Sequence, residues 1–213
     1  MLNLSSPSYV RLATGTKVSA LEGVPTLEDM KIQLARENRY AGGSVEPWPV
    51  MLHTFVGMHF VPDYLRTHFL FHDAPEVVGG DCPRPVKTWE LSELEEKIYL
   101  RILDAHGLHY PNEYEKRVIK HADNCALMGE IHTIAPPGLE EDYADIERVP
   151  AAERLVCWYL KEFPPADLAD RNGRAGQHFM KLYHEAIGRY RYFQTCLNTP
   201  QYLPTATTKK SEA

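Results

Sequence analysis

Residues 111–134, PNEYEKRVIKHADNCALMGEIHTI, decide the class of fold. Pro111 and Asn112 are helix-opening residues, and Val118, Ile119, Ala122, Cys125, Ala126 and Met128 recur at a helical spacing, on one inward side. Pro136-Pro137-Gly138 ends the run. Asp123 interrupts that apolar side among Ala and Cys. An acid there is costly unless it is paired or bound to a metal.

The same period extends in both directions. Thr88 or Ser92 starts a helix with Leu94, Ile98, Leu100, Ile102 and Leu103 as its apolar stripe and Gly107 as its stop. Pro25-Thr26-Leu27-Glu28-Asp29 starts an earlier one that runs to about Asn38, with Thr26 as cap. An apolar segment covers Pro49 to Phe60, and Asp63 looks like the cap of a helix from Tyr64 to about Val78. Further helices are predicted from Pro150 to Phe163, with Leu155, Val156, Trp158 and Leu160 as core, and from about Asp170 to Cys196, with a solvated acidic loop around 139–146. Period-2 runs are scarce; the only strand signal is a short ribbon at Tyr9–Leu12 and Thr16–Leu21. The expected fold is all-α: an extended segment over 1–24, a helical bundle over 25–197 and a flexible tail over 198–213.

The chain has 213 residues, 44% hydrophobic and 24% charged, which suits one globular domain and excludes a fibrous or disordered protein. A net charge of −6 argues against wrapping long nucleic acid. It leaves room for a small anion held by one or two cations. No stretch approaches the roughly 20 apolar residues of a membrane span, and no secretory signal is expected at the N-terminus. Cys82, Cys125, Cys157 and Cys196 form no CxxC pair, so they read as reduced thiols, mostly core fillers, in a cytoplasmic protein.

The chemistry concentrates in Phe69-Leu70-Phe71-His72-Asp73-Ala74-Pro75-Glu76-Val77-Val78-Gly79-Gly80-Asp81. His72 and Asp73 are adjacent metal-type ligands. Glu76 follows Asp73 by three residues, on the same face of the expected helix. Asp81 lies in a loop whose glycines permit close approach. A divalent metal held by imidazole and carboxylate lowers the pKa of water, and a nearby carboxylate orients that water or moves its proton. The ligand types suit manganese, cobalt, nickel, iron or zinc without choosing among them. His53, on the preceding apolar segment, and Asp123 are the further ligand candidates. His68 and His72 are spaced i, i+4, but no Glu follows His68, so the zinc-protease motif is absent and His68 reads as structural.

The order His53, His72-Asp73, Asp123 resembles the H…HD…D signature of the HD-domain metal-dependent phosphohydrolases. Four local strings are similar to the 5′-deoxynucleotidase-like branch, which includes phage enzymes that dephosphorylate dATP and other deoxynucleotides. They are Leu34-Ala35-Arg36-Glu37-Asn38-Arg39-Tyr40-Ala41-Gly42-Gly43, His72-Asp73-Ala74-Pro75-Glu76, Gly80-Asp81-Cys82-Pro83-Arg84-Pro85-Val86-Lys87 and Lys120-His121-Ala122-Asp123. The likeness covers roughly residues 8–190. Leu52 before the first His and Tyr40 after Arg39 depart from the commoner family residues.

The resemblance implies an HD-domain helical bundle in which His53, His72, Asp73 and Asp123 ligate one divalent metal, magnesium among those to consider. It implies that Glu76 assists attack on phosphorus with Asp81 in support, that Arg39 and Lys87 bind phosphate, and that Tyr40 packs on sugar or base. The implied substrate is a small (deoxy)nucleotide, mono- or triphosphate, with no nucleic acid or membrane partner. The two rival readings are a non-catalytic metal- and nucleotide-binding module, against which Glu76 and Asp81 speak, and a nuclease or phosphodiesterase on the same fold. Phe179, Met180, Leu182, Tyr183, Tyr190, Tyr192 and Phe193 make the last helix rich in large apolar residues, which core packing and a homo-oligomer explain equally well.

Overall fold

The computed structural model describes residues 9–19, 21–83, 86–144 and 147–198. The first eight residues, Arg84 and Pro85 of the loop before Lys87, and the expected tail beyond Asn198 lie outside them. The chain folds as an all-α bundle preceded by a short extended segment. A two-stranded antiparallel ribbon, β1 (Val10–Arg11) and β2 (Lys17–Val18), pairs Val10 with Val18. The helices are α1 (Leu27–Leu34), α2 (Val50–Gly57), α3 (Arg66–Leu70), α4 (Glu76–Gly79), α5 (Trp89–His106), α6 (Glu113–Ile131), α7 (Leu139–Asp142), α8 (Pro150–Glu162), α9 (Pro165–Ala169) and α10 (Arg174–Asn198). Among the described residues, no helix is long and apolar enough to cross a membrane.

Thr26, Gly107 and Asn112 act as the sequence indicates, but Asp63 does not cap a helix: it opens a short 3-10 turn, Asp63–Leu65, and its carboxylate pairs with Arg66 and Arg189 instead. Thr26 Oγ1 accepts from Asp29 N–H, and Asp29 Oδ2 accepts from Thr26 N–H at 3.1 Å, a reciprocal capping box. Thr88, not Ser92, caps α5, and Gly107 closes it in the left-handed region at φ 66°. Asn112 and Glu115 form a second capping box at the start of α6.

Helix α2 is the centre of the bundle. All eight of its residues are buried, as expected of a helix apolar on every side. It packs against α6, α8, α3 and α1. Helices α6 and α8 approach so closely that a Cβ on Gly129 would lie 2.7 Å from Ala152 Cβ and 2.8 Å from its carbonyl carbon. Helix α10 covers α3 and α1 with Phe179, Leu182, Tyr183, Ile187 and Tyr190, while Tyr192 and Phe193 stay exposed.

Four local expectations are corrected. The helix expected over 64–78 is broken into α3, a turn at 71–75 and α4. Pro75 has no N–H to give and its ring would strike the carbonyl of Phe71, so the backbone tightens to i→i−3 bonds such as Ala74 N–H to Phe71 O at 3.0 Å. The first helix stops at Leu34, four residues early, because residues 37–39 turn away to run antiparallel to 48–50. Part of the acidic loop is the helical turn α7, started by Gly138 at φ 91°. In α8 Tyr159 is buried and Trp158 is half exposed; of the cysteines only Cys125 is buried.

Two outcomes follow from this packing. Gly129→Ala gains helix propensity of about 1 kcal/mol, but the new Cβ meets backbone that cannot rotate away, at a cost of about 1–3 kcal/mol. The expected result is a lower Tm in a thermal melt. Asp29 is buried and, although burial raises its carboxyl, bonds from Thr26 and Thr14 hold it below the usual range. Its contribution is therefore present above the unfolded value and lost as pH falls through the folded one. Asp29→Asn is expected to melt lower than wild type at pH 7, with the gap closing below about pH 4.

Candidate metal centre and its cavity

His53 sits midway along buried α2, fully buried itself. An imidazole there has no water, so both nitrogens need partners. Nδ1 donates to Glu130 Oε1 at 2.6 Å, and Nε2 lies 3.1 Å from Asp123 Oδ1. Burial and the Arg39 charge oppose protonation of His53, yet Glu130 and Asp123 raise its pKa to about 9.

His72 lies in the turn after α3. Its ring stacks on Phe69 with centroids 4.2 Å apart, and its Nδ1 donates to Phe69 O at 2.6 Å. That bond fixes the tautomer and leaves the Nε2 lone pair facing Asp73 and His53. Nε2 is 3.1 Å from Asp73 Oδ2, but neither atom has a hydrogen-bond partner. Asp73 Oδ2 is also 3.7 Å from His53 Nε2. Asp123, on the inner face of α6, ion-pairs with Lys120.

One ligand atom each from His53, His72 and Asp123 lies within 4.8 Å of the other two. Two ligands on one ion with bonds of 2.0–2.5 Å stand at most about 4–5 Å apart. The group could therefore hold one metal ion, and the orphaned buried His72 Nε2 and Asp73 Oδ2 are the donors such an ion would satisfy. Burial raises the carboxyls of Asp73 and Asp123, but the imidazoles of His72 and His53 bring both well below the ordinary range. As ligands must, they stay ionised.

Glu76, the first residue of α4, is nearly buried, and its Oε2 has no partner. Burial, then the charges of Asp73 and Asp81, drive its pKa far above the usual carboxylate range. Asp81 is raised by burial, with Arg39 opposing. Gly80 makes this approach possible. Its φ is 77°, a Cβ would touch Glu37 Oε1 at 3.3 Å, and that same oxygen accepts from Asp81 N–H at 3.1 Å.

Asp73, Glu76, Asp81 and Asp123 form the floor of a cavity of ≈ 550 Å³, in the size range of small-molecule sites. Arg39, Tyr40, Asp73, Glu76, Asp81, Lys87 and Asp123 all line it, with Leu127, Leu139 and Tyr143 as an apolar wall. A second cavity of ≈ 290 Å³ adjoins it, lined by His72, Tyr99, Lys116 and Ile119 besides the shared Asp73, Glu76, Lys87, Lys120 and Asp123. All nine sequence-derived site residues thus converge. His53 lies behind the cavity surface, and Lys87 is tied to Glu95 by an ion pair.

Three contributors were absent from the sequence reading. Lys120 adds a third cation to the rim. Glu37 anchors the Asp81 loop. Glu130 accepts from Arg39 Nε at 3.0 Å and Tyr40 Oη–H at 2.8 Å as well as from His53. The signal for Glu130 was present: it follows Asp123 by seven residues, two helical turns, as a lone acid after Ala126-Leu127-Met128-Gly129. No protein-family model matches the sequence, and no curated protein matches it.

Isothermal titration with Co²⁺ tests the ligand set. His72→Ala is expected to weaken binding by more than the about 10–100-fold typical of a change outside the ligand shell, with the fold intact by circular dichroism. Wild-type affinity in that variant would put the ion elsewhere.

Proposed function

We propose that this chain is a divalent-metal-dependent phosphohydrolase acting on small nucleotides in the cytoplasm, of the HD-domain kind that its sequence resembles. The observation that carries the reading is the convergence of two imidazoles and two ionised carboxylates, beside a protonation-prone Glu76, at the base of a cavity rimmed by Arg39, Lys87 and Lys120, with His53 just behind its surface. A structural metal site has no use for an additional proton-carrying acid and three cations at its open face.

Held by His53, His72, Asp73 and Asp123, a divalent ion would supply Lewis acidity, lowering the pKa of water and neutralising charge on the phosphoryl oxygens. The protein's own groups do the rest. Arg39 presents a guanidinium whose Nη1 is 4.0 Å from Asp73 Oδ2, so it borders the reacting centre and can hold a phosphate in line. Lys87 and Lys120 exchange part of their pairing with Glu95 and Asp123 for phosphate oxygens. Glu76, with its raised pKa and unpartnered Oε2, receives a proton from the attacking water or gives one to the leaving oxygen. Asp81 borders the same cavity and helps keep that proton on Glu76. Tyr40, Leu127, Leu139 and Tyr143 offer an apolar surface to sugar and base.

The reaction adds the water oxygen to phosphorus, breaks the phosphorus–5′-oxygen bond and delivers a proton to that 5′-oxygen. A monophosphate then gives nucleoside and phosphate; a triphosphate gives nucleoside and tripolyphosphate.

Chromatographic product analysis over ribo- and deoxynucleoside mono- and triphosphates, with Mn²⁺, Co²⁺, Zn²⁺ or Mg²⁺ in turn, tests this. Nucleoside release is expected only with metal, and Glu76→Gln is expected to lose about 10²–10⁴-fold in rate. Tight metal binding with no cleavage of any nucleotide would instead leave a non-catalytic binding module.

A further inference from the structure

Glu130 is the one buried acid of the centre that the chemistry above does not use. Its carboxylate has no exposed surface, and each oxygen serves a different half of the site. Oε1 accepts a hydrogen bond from His53 Nδ1–H at 2.6 Å. With that proton fixed on Nδ1, the nitrogen turned toward Asp123 and Asp73 is Nε2, the one that can ligate. Oε2 takes Arg39 Nε–H at 3.0 Å and Tyr40 Oη–H at 2.8 Å. Tyr40 and Ala41 both have positive φ, 58° and 51°, in a conformation that side chains rarely adopt. The hydroxyl bond to Glu130 is one of the contacts that hold Tyr40 there.

We propose that Glu130 is a positioning residue that couples the two halves of the site. One buried carboxylate fixes the ligating face of His53 and the cavity-facing pose of Arg39 and Tyr40, so metal affinity and nucleotide affinity depend on the same group. The nucleotide half rests on the phosphohydrolase reading; the metal half rests on the His53 geometry alone. Three donors converge on Glu130, and only a carboxylate accepts at both oxygens. In Glu130→Gln a single oxygen remains, and the amide NH₂ can accept from none of the three donors. The variant must therefore abandon His53 or abandon Arg39 and Tyr40.

The test uses the full chain, with Co²⁺ affinity by isothermal titration and kcat and KM for the cleaved nucleotide. Glu130→Gln, folded by circular dichroism, is expected to lose about 10–100-fold in Co²⁺ affinity or to raise KM at least tenfold, whichever half the amide abandons. Unchanged Co²⁺ affinity together with unchanged KM overturns the positioning role and leaves the phosphohydrolase reading intact. Weakened Co²⁺ binding in the variant of a protein whose metal-loaded wild type cleaves no nucleotide overturns the phosphohydrolase reading and leaves the His53 half standing. Should Glu130→Gln fail to fold, histidine ¹⁵N NMR of the Zn²⁺-loaded wild type decides. A protonated His53 Nδ1 with a strongly downfield proton is expected, and ligation through Nδ1 overturns the proposal.

Discussion

The bond between His53 and Glu130 is the constraint around which the site is arranged. It lies where water cannot reach, between a helix buried on every side and the inner face of α6. A buried charge alone is prohibitively costly, and removal of one partner from a buried ion pair costs about 3–5 kcal/mol. The pair is not isolated. Arg39, Glu130, His53, Asp123 and Lys120 follow one another in contact with alternating sign, from the wall of the cavity through the core to its rim. The close approach of α6 to α8 at Gly129 sets α6 in the core one residue before Glu130. Packing and electrostatics thereby fix the same point.

Regular helices deliver His53, Glu76, Lys120, Asp123 and Glu130. The remaining groups come from irregular backbone. Residues 37–39 pair with 48–50 and swing Arg39 over the centre; the loop that follows is pinned where Val45 N–H meets Ile134 O at 2.8 Å. The break at 71–75 turns His72 and Asp73 together toward His53, and Gly80 folds Asp81 back onto Glu37. Left-handed Tyr40 and Ala41 store backbone strain of the kind that concentrates at functional sites.

Much of this was legible in the sequence, for identifiable reasons. Helical period and caps place the long elements because burial of one face is a strong, repeated signal; Thr26, Asn112 and Gly107 mark their ends within a residue. The cost of a lone acid on an apolar face singled out Asp123. The same argument two turns later applies to Glu130, but its signal is weaker because it falls at the end of the helix, where an acid passes for solvated. Pro75 announced the broken helix, but the apolar run on both sides of it masked the signal. Trp158 and Tyr159 show the limit of periodicity: in a helix with large residues at successive positions, a phase error of one residue exchanges core for surface.

The cavity's charge balance bears on the order in which its occupants arrive. Four acids, Asp73, Asp81, Asp123 and Asp142, line the larger cavity besides the protonation-prone Glu76, against three cations, Arg39, Lys87 and Lys120. All three are already engaged, Arg39 with Glu130, Lys87 with Glu95 and Lys120 with Asp123. A phosphate arriving alone would meet more repulsion than attraction in a partly desolvated space, where charges act at short range with little screening. A divalent ion held by Asp73 and Asp123 would, on the proposed reading, reverse that sign locally and would compete with Lys120 for Asp123, leaving the lysine available to the anion. On the proposed reading the ion therefore binds first and prepares the cation set for phosphate. Burial and the acidic neighbours Asp73 and Asp81 favour the protonated form of Glu76, which suits the proton-carrying role proposed for it better than ligation.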